Sequence, residues 1–402
     1  MRAIFRSTLI SWLLLLASDC RPQQAARHWV SAWMCAPQRV KDAPAATASS
    51  SEGLTLREVV RASLSGASVR VRFANTYGDA PLTIGAASVA LASSDGAVVP
   101  GSVRPLTFHG SSTIAIPPGA EALSDPAPLP TTDFASLSVS MYLPHPTAPA
   151  TGHVVANATS YAAPGNQTAQ TQLDAARAET EWDYLSGVEV LAGSRDSAIV
   201  VLGDSISDGL FSTRDANARW TDELALRLAG RKGPRYAVLN AAISGNRLLH
   251  DGDGQSALAR FDRDVLAASG VRTVIVLEGI NDLGGVQTDE AAMPAADNAI
   301  WALDQIAQRA HAHGMRVVAG TLLPYRGAGY FSAAGETARQ AVNAWIRGSA
   351  SFDGVADFDR ALRDPAHPDA LLPVYDHGDH LHPNDAGYKA MGDAIDLNLL
   401  VR

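Results

Sequence analysis

Hydrophobic and polar residues alternate along the first half of the chain and gather into unbroken apolar runs along the second. Between Leu54 and Ala163, segments 68–73, 82–85, 88–91, 113–116 and 136–143 are short alternating runs, as in Val69-Arg70-Val71-Arg72-Phe73. A period of two buries one face of a strand and wets the other. Turn-forming groups such as Ser94-Asp95-Gly96 and Pro117-Pro118-Gly119 separate the runs. Residues 27–165 are therefore expected to form an antiparallel β-sandwich. Residues 166–193, rich as far as Glu181 in Ala, Gln and Thr with little apolar period, are expected to connect the sandwich to the second half. From residue 194 the period changes. Apolar runs at 199–202, 236–239, 273–277 and 316–319 take turns with helical patterns at 221–229, 257–268, 296–313 and 336–348. That alternation predicts, over 194–402, an α/β fold with a parallel sheet covered by helices on both faces. A chain of 402 residues is also too long for one ordinary core, in keeping with two units.

Residues 1–26 stand apart. Arg2 and Arg6 precede the run Leu9 to Ala17, and small and polar residues come after it. Basic, then apolar, then small is the order of a secretory signal peptide, and the run is too short to span a bilayer comfortably. The mature protein is expected to be secreted or periplasmic, with no stable membrane insertion. Cys20 partly matches a lipoprotein cleavage site, from which Asp19 directly before it departs. If Cys20 leaves with the signal, Cys35 has no partner for an intrachain disulfide. A hydrophobic share of 47% with 18% charged residues fits a globular protein. A net charge of −9 without any Lys/Arg cluster excludes nucleic acid as a partner, because no basic stripe exists to displace counterions.

The chemistry centres on Ile199-Val200-Val201-Leu202-Gly203-Asp204-Ser205-Ile206-Ser207-Asp208-Gly209, which delivers a serine off a buried strand at the carboxyl edge of the sheet. By itself that placement serves a helix cap equally well. A serine nucleophile needs a base, an acid that orients the base, and donors for an oxyanion. Asp379 stands three residues before His382, a spacing that lets the carboxylate reach the imidazole. Gly245 ends the segment after strand 236–239, and Asn281 lies just beyond strand 273–277. With the Ser205 N–H, the Gly245 N–H and the Asn281 amide would give three oxyanion donors.

Gly203-Asp204-Ser205, Gly245-Asn246, Gly279-Ile280-Asn281-Asp282 and Asp379-His380-Leu381-His382 resemble, in order, the sequence blocks of SGNH hydrolases of the GDSL type. Ile206 replaces the motif's leucine. The resemblance implies a flavodoxin-like sheet, Ser205 as nucleophile, His382 as base and acid, Asp379 as its orienter, and Ser205, Gly245 and Asn281 as oxyanion donors. Trp29 to Trp33, residues 69–75 and Arg219-Trp220-Thr221-Asp222 resemble more loosely an extended bacterial subgroup with an N-terminal β-sandwich. No cofactor is implied. The partner would be a small-molecule or polysaccharide ester, with short acyl groups, including acetyl on carbohydrate, favoured by family habit. A lipase or phospholipase with longer-chain preference and a non-catalytic glycan-binding protein are the rival readings. His377, His380 and His382 with Asp376 and Asp379 have a spacing that permits a metal, but the serine reading uses Asp379 and His382, and no metal is expected. Asp204 and Asp282 are expected to be structural caps, while Trp220, Tyr325, Tyr330, Phe331 and Tyr375 remain unassigned.

Overall fold

The computed structural model describes residues 27–40, 53–146 and 150–401. The expected signal segment, including Cys20, lies outside them. In the amino-terminal half, Val69, Val71 and Phe73 are buried while Arg70 and Arg72 between them are only partly so, as the period of two requires. One sheet has the order Arg27–Met34, Leu185–Gly193, Val69–Ala74, Glu121–Leu123. A six-stranded sheet runs Arg177–Glu179, Ser160–Pro164, Leu54–Arg61, Ser136–Leu143, Ala86–Leu91, Arg104–Leu106, and every pairing in both sheets is antiparallel. Residues 166–193, expected as a connector, are built into these sheets. Leu185–Gly193 lies between two strands of the first, with its buried Glu189 paired to Arg70 and Arg72.

The carboxyl-terminal half is a parallel sheet of five strands ordered Tyr236–Ala242, Ser197–Gly203, Val271–Leu277, Arg316–Gly320, Gly354–Ala356. In chain order this is 2-1-3-4-5, the flavodoxin-like arrangement, which opens a crevice where the order reverses beside the first strand. All seven residues of Ser197–Gly203 are buried, so the turn bearing Ser205 grows from the centre of the core. The predicted helix 257–268 is split into an α-helical part, Ala257–Phe261, and a π-helical turn, Asp262–Leu266. The helix expected at 296–313 begins earlier, at Asp289, ahead of Pro294.

The halves share an interface. Strand 27–34 packs against 236–242, the edge of the parallel sheet. Ser63 Oγ accepts from the Val238 N–H at 3.0 Å, and its hydroxyl faces the Val238 and Ala32 carbonyls. An edge strand that would otherwise offer bare backbone is thereby covered. Cys35 is a free, buried thiol whose Sγ–H faces the Leu185 carbonyl at 3.2 Å. No helix among the described residues is long and apolar enough to cross a membrane.

Candidate active site

Gly203 ends its strand in register with Ala242 on one side and Leu277 on the other, so three loops leave the same sheet edge side by side. The first loop is short. Asp204 N-caps the helix Ser205–Asp208, its Oδ1 accepting from the Ile206 N–H at 3.0 Å, and Gly209 closes the helix at φ 82. Ser205 is thus the first helical residue, where a backbone N–H has no carbonyl one turn behind it. Its Oγ lies 2.7 Å from His382 Nε2. Both residues are nearly buried, at 5% and 7% exposure.

His382 is held by its own loop. Asp379 Oδ2 lies 2.6 Å from His382 Nδ1, and Asp379 Oδ1 accepts from the His382 and Leu381 N–H groups at 2.9 and 3.1 Å. A carboxylate at Nδ1 puts the proton on that nitrogen and leaves Nε2 to accept from the serine hydroxyl. Burial works against ionisation of Asp379, but these hydrogen bonds outweigh it and hold the carboxyl below its ordinary range. Phe211 sets its edge against the His382 ring, 5.4 Å between centroids, and stacks on His377 at 4.1 Å. His380 Nδ1 is paired with Asp376 at 2.6 Å. Among the described residues no group of three His, Cys, Asp or Glu is placed to hold a metal ion.

The loops on either side carry the other predicted residues. Gly245 has φ 77, and a Cβ there would stand 2.3 Å from Asp253 Oδ2, so the turn needs glycine on both counts. Asn281 Nδ2 donates to the Asn246 carbonyl at 2.9 Å, and Tyr330 Oη donates to Asn281 Oδ1 at 3.4 Å. One amide proton of Asn281 is used in this way. Asp282, expected to be a structural cap, accepts with its carboxylate from the Leu248 and Leu249 N–H groups of the neighbouring loop at 2.8 and 3.3 Å and so ties the third loop to the second. Tyr330 carried no signal that set it apart from packing aromatics, and its contact with Asn281 spans 49 positions.

Behind the loops lies a charged layer that the sequence did not reveal. Arg260, fully buried, donates to the Gly203 carbonyl at 3.1 Å, to Asn246 Oδ1 at 2.9 Å and to the Ala241 carbonyl, with Asp264 Oδ2 at 3.1 Å. One planar guanidinium thus joins two strand ends and the loop bearing Gly245. Glu278 faces it at 3.8 Å, and both side chains are fully buried. Burial first, then the neighbouring Asp204 charge, push the Glu278 carboxyl well up, against the attraction of Arg260. Burial likewise pushes Asp204 up to about 7, with Asp282 and Asp208 adding to it and the Ile206 hydrogen bond opposing it. A cavity of about 340 Å³ lies elsewhere, between the two halves, where His153, Asp208, Arg219 and Asn240 are among its walls.

The fold and site are those of an α/β protein whose parallel sheet carries a Ser–His–Asp hydrogen-bonded line at its carboxyl edge. Residues 201–390 match the family model of the GDSL-like lipase/acylhydrolase family. The chain carries a domain of that family and is a carboxylic ester hydrolase. It is similar to a GDSL-like lipase from Bacteroides thetaiotaomicron, at 20% identity and a TM-score of 0.39, over 50% of this chain and 87% of that one. It is also similar to an acetylxylan esterase from Geobacillus stearothermophilus, at 21% identity and a TM-score of 0.38, over 52% and 98% of the two chains. No curated protein matches.

Proposed function

We propose that the chain is a secreted serine esterase that removes short acyl groups, with acetyl on a carbohydrate as the favoured class, through an acyl-enzyme on Ser205. The observation that carries this reading is the line from Ser205 Oγ to His382 Nε2 at 2.7 Å and from Nδ1 to Asp379 at 2.6 Å. His382 takes the Ser205 proton as Oγ bonds to the ester carbonyl carbon, and the oxyanion forms towards the N–H groups of Ser205 and Gly245 and the Asn281 amide. Collapse expels the alcohol, which receives the proton from His382. Water, deprotonated by His382, then attacks the acyl carbon and releases the acid and Ser205. Phe211 beside His382 and Tyr330 beside Asn281 bracket the reacting region with rings, which supports a small acyl group.

The test is turnover of p-nitrophenyl esters from acetate to palmitate by the wild type and by Ser205→Ala. Ser205→Ala is expected to lose at least ~10³-fold in kcat while keeping its fold. The wild-type optimum is expected at acetate or butyrate; an optimum beyond about C8 would replace the short-chain reading with a lipase. Retained turnover in Ser205→Ala would remove the nucleophile assignment.

A further inference from the structure

His153 is supplied by the amino-terminal half, yet its ring ends at the nucleophile helix. Nε2 lies 2.9 Å from Asp208 Oδ1, and both side chains are only 2% exposed. Nδ1 lies 3.0 Å from the Ala36 carbonyl. A carbonyl only accepts, so Nδ1 carries a proton, and a second proton must lie between Nε2 and the carboxylate for that contact to be a hydrogen bond. The other oxygen, Asp208 Oδ2, accepts from the Ser244 N–H at 2.9 Å and from the Ser244 hydroxyl at 2.7 Å. Asp208 is the last residue of the helix that Ser205 begins, and Ser244 is the residue before Gly245. We infer that His153 is a positioning residue for the esterase site: through Asp208 it fixes Ser244, and with it the distance between the Ser205 turn and the Gly245 N–H.

The surroundings hold the ring for that purpose. Trp182 stacks on His153 with centroids 5.7 Å apart. Arg219 donates to the Asp208 carbonyl at 2.7 Å and to the Ala156 carbonyl, close after His153 in the chain, at 2.6 Å. Asn157 Nδ2 donates to the Gly209 carbonyl at 2.6 Å. Without His153, the buried Asp208 carboxylate keeps only its Ser244 donors and leaves Oδ1 without its partner, a costly state that the two loops relieve by shifting. A displacement of about 1 Å between nucleophile and oxyanion donors costs on the order of 100-fold in rate, with little effect on substrate binding.

The inference rests on the reading of Ser205 as nucleophile and Gly245 as oxyanion donor. Its test compares His153→Gln, Ser244→Ala and Ser205→Ala in the full chain. The readouts are kcat and KM on p-nitrophenyl acetate and inhibition by a trifluoromethyl ketone, which forms the tetrahedral adduct. His153→Gln is expected to lower kcat about 10- to 100-fold with KM within about twofold, and to weaken the inhibitor by a similar factor. Ser244→Ala is expected to act in the same direction by about tenfold. Because His153 and Asp208 both line the cavity between the halves, added imidazole is expected to restore part of the kcat of His153→Ala. Wild-type kcat in Ser244→Ala and His153→Gln, or a change confined to KM, overturns the inference while an inert Ser205→Ala leaves the nucleophile in place. Turnover in Ser205→Ala removes the underlying reading instead. If the His153 variants do not fold, Ser244→Ala decides alone.

Discussion

Ser205 begins a helix of four residues, and its first-turn position gives it a backbone N–H with no internal partner as well as a hydroxyl aimed at His382. The residues around it divide the work by chemistry. Asp379, partly exposed and rich in donors, stays ionised. Asp204, one residue before the serine and completely buried, has one oxygen on the Ile206 N–H and the other without a hydrogen-bond partner among the described residues. Environment rather than residue type separates these two carboxyls. Asn281 is a neutral donor fixed from both sides, by Tyr330 on its oxygen and Asn246 on its nitrogen. Asn281→Ala is expected to lower kcat by about 10²- to 10³-fold with KM little changed, measured by steady-state hydrolysis of p-nitrophenyl acetate. A change in KM alone would take Asn281 out of the oxyanion site.

At the scale of elements, the four apolar runs 199–202, 236–239, 273–277 and 316–319 each fall within an observed strand of the parallel sheet, because a strand buried on both faces carries its signal locally. The loops bearing Ser205, Gly245, Asn281 and Asp379 were legible for the same reason: three of them come directly after such strands, and the fourth is a three-residue spacing. Strand 185–193 was not. Glu189 interrupts its apolar run, and its burial depends on a pair of arginines more than a hundred positions away. The π-helical turn was equally hidden, since Arg260 and Asp264 look like a solvated i, i+4 pair but lie buried behind the sheet edge. Long-range pairing of charges leaves no periodic trace. The amino-terminal half contains a pair of acids, buried Glu58 and half-buried Asp183, in which the Asp183 N–H donates to Glu58 while Asp183 Oδ1 finds no hydrogen-bond partner among the described residues. Burial, aided by Glu181 and Glu179, pushes Asp183 up to about 7 from its ordinary 3.8. The folded state therefore keeps a proton that the unfolded chain releases, so this contribution to stability is full below about pH 4 and is lost as pH rises towards 7. Asp183→Asn is expected to flatten the fall of Tm between pH 5 and pH 8 relative to the wild type; an unchanged slope would show that Asp183 is ionised in the fold.

Across the whole molecule, the β-sandwich does more than sit beside the hydrolase half. Ser63 covers the edge strand, Gln38 donates to the Asp253 carbonyl at 2.6 Å beyond the Gly245 turn, and His153 reaches the helix that Ser205 begins. Polar contacts of this kind join two cores into one cooperative unit. Thermal unfolding is expected to give a single transition, coincident by circular dichroism and tryptophan fluorescence; two separated transitions would mean that the halves melt independently. The central claim, that Ser205 is the nucleophile of an intact hydrolytic site, is tested most directly by labelling the full-length protein with a fluorophosphonate and mapping the adduct by mass spectrometry. One adduct is expected, on Ser205, with complete loss of esterase activity and no labelling of Ser205→Ala. Undiminished activity with Ser205 unmodified, or equal labelling of the Ser205→Ala variant, would contradict that claim.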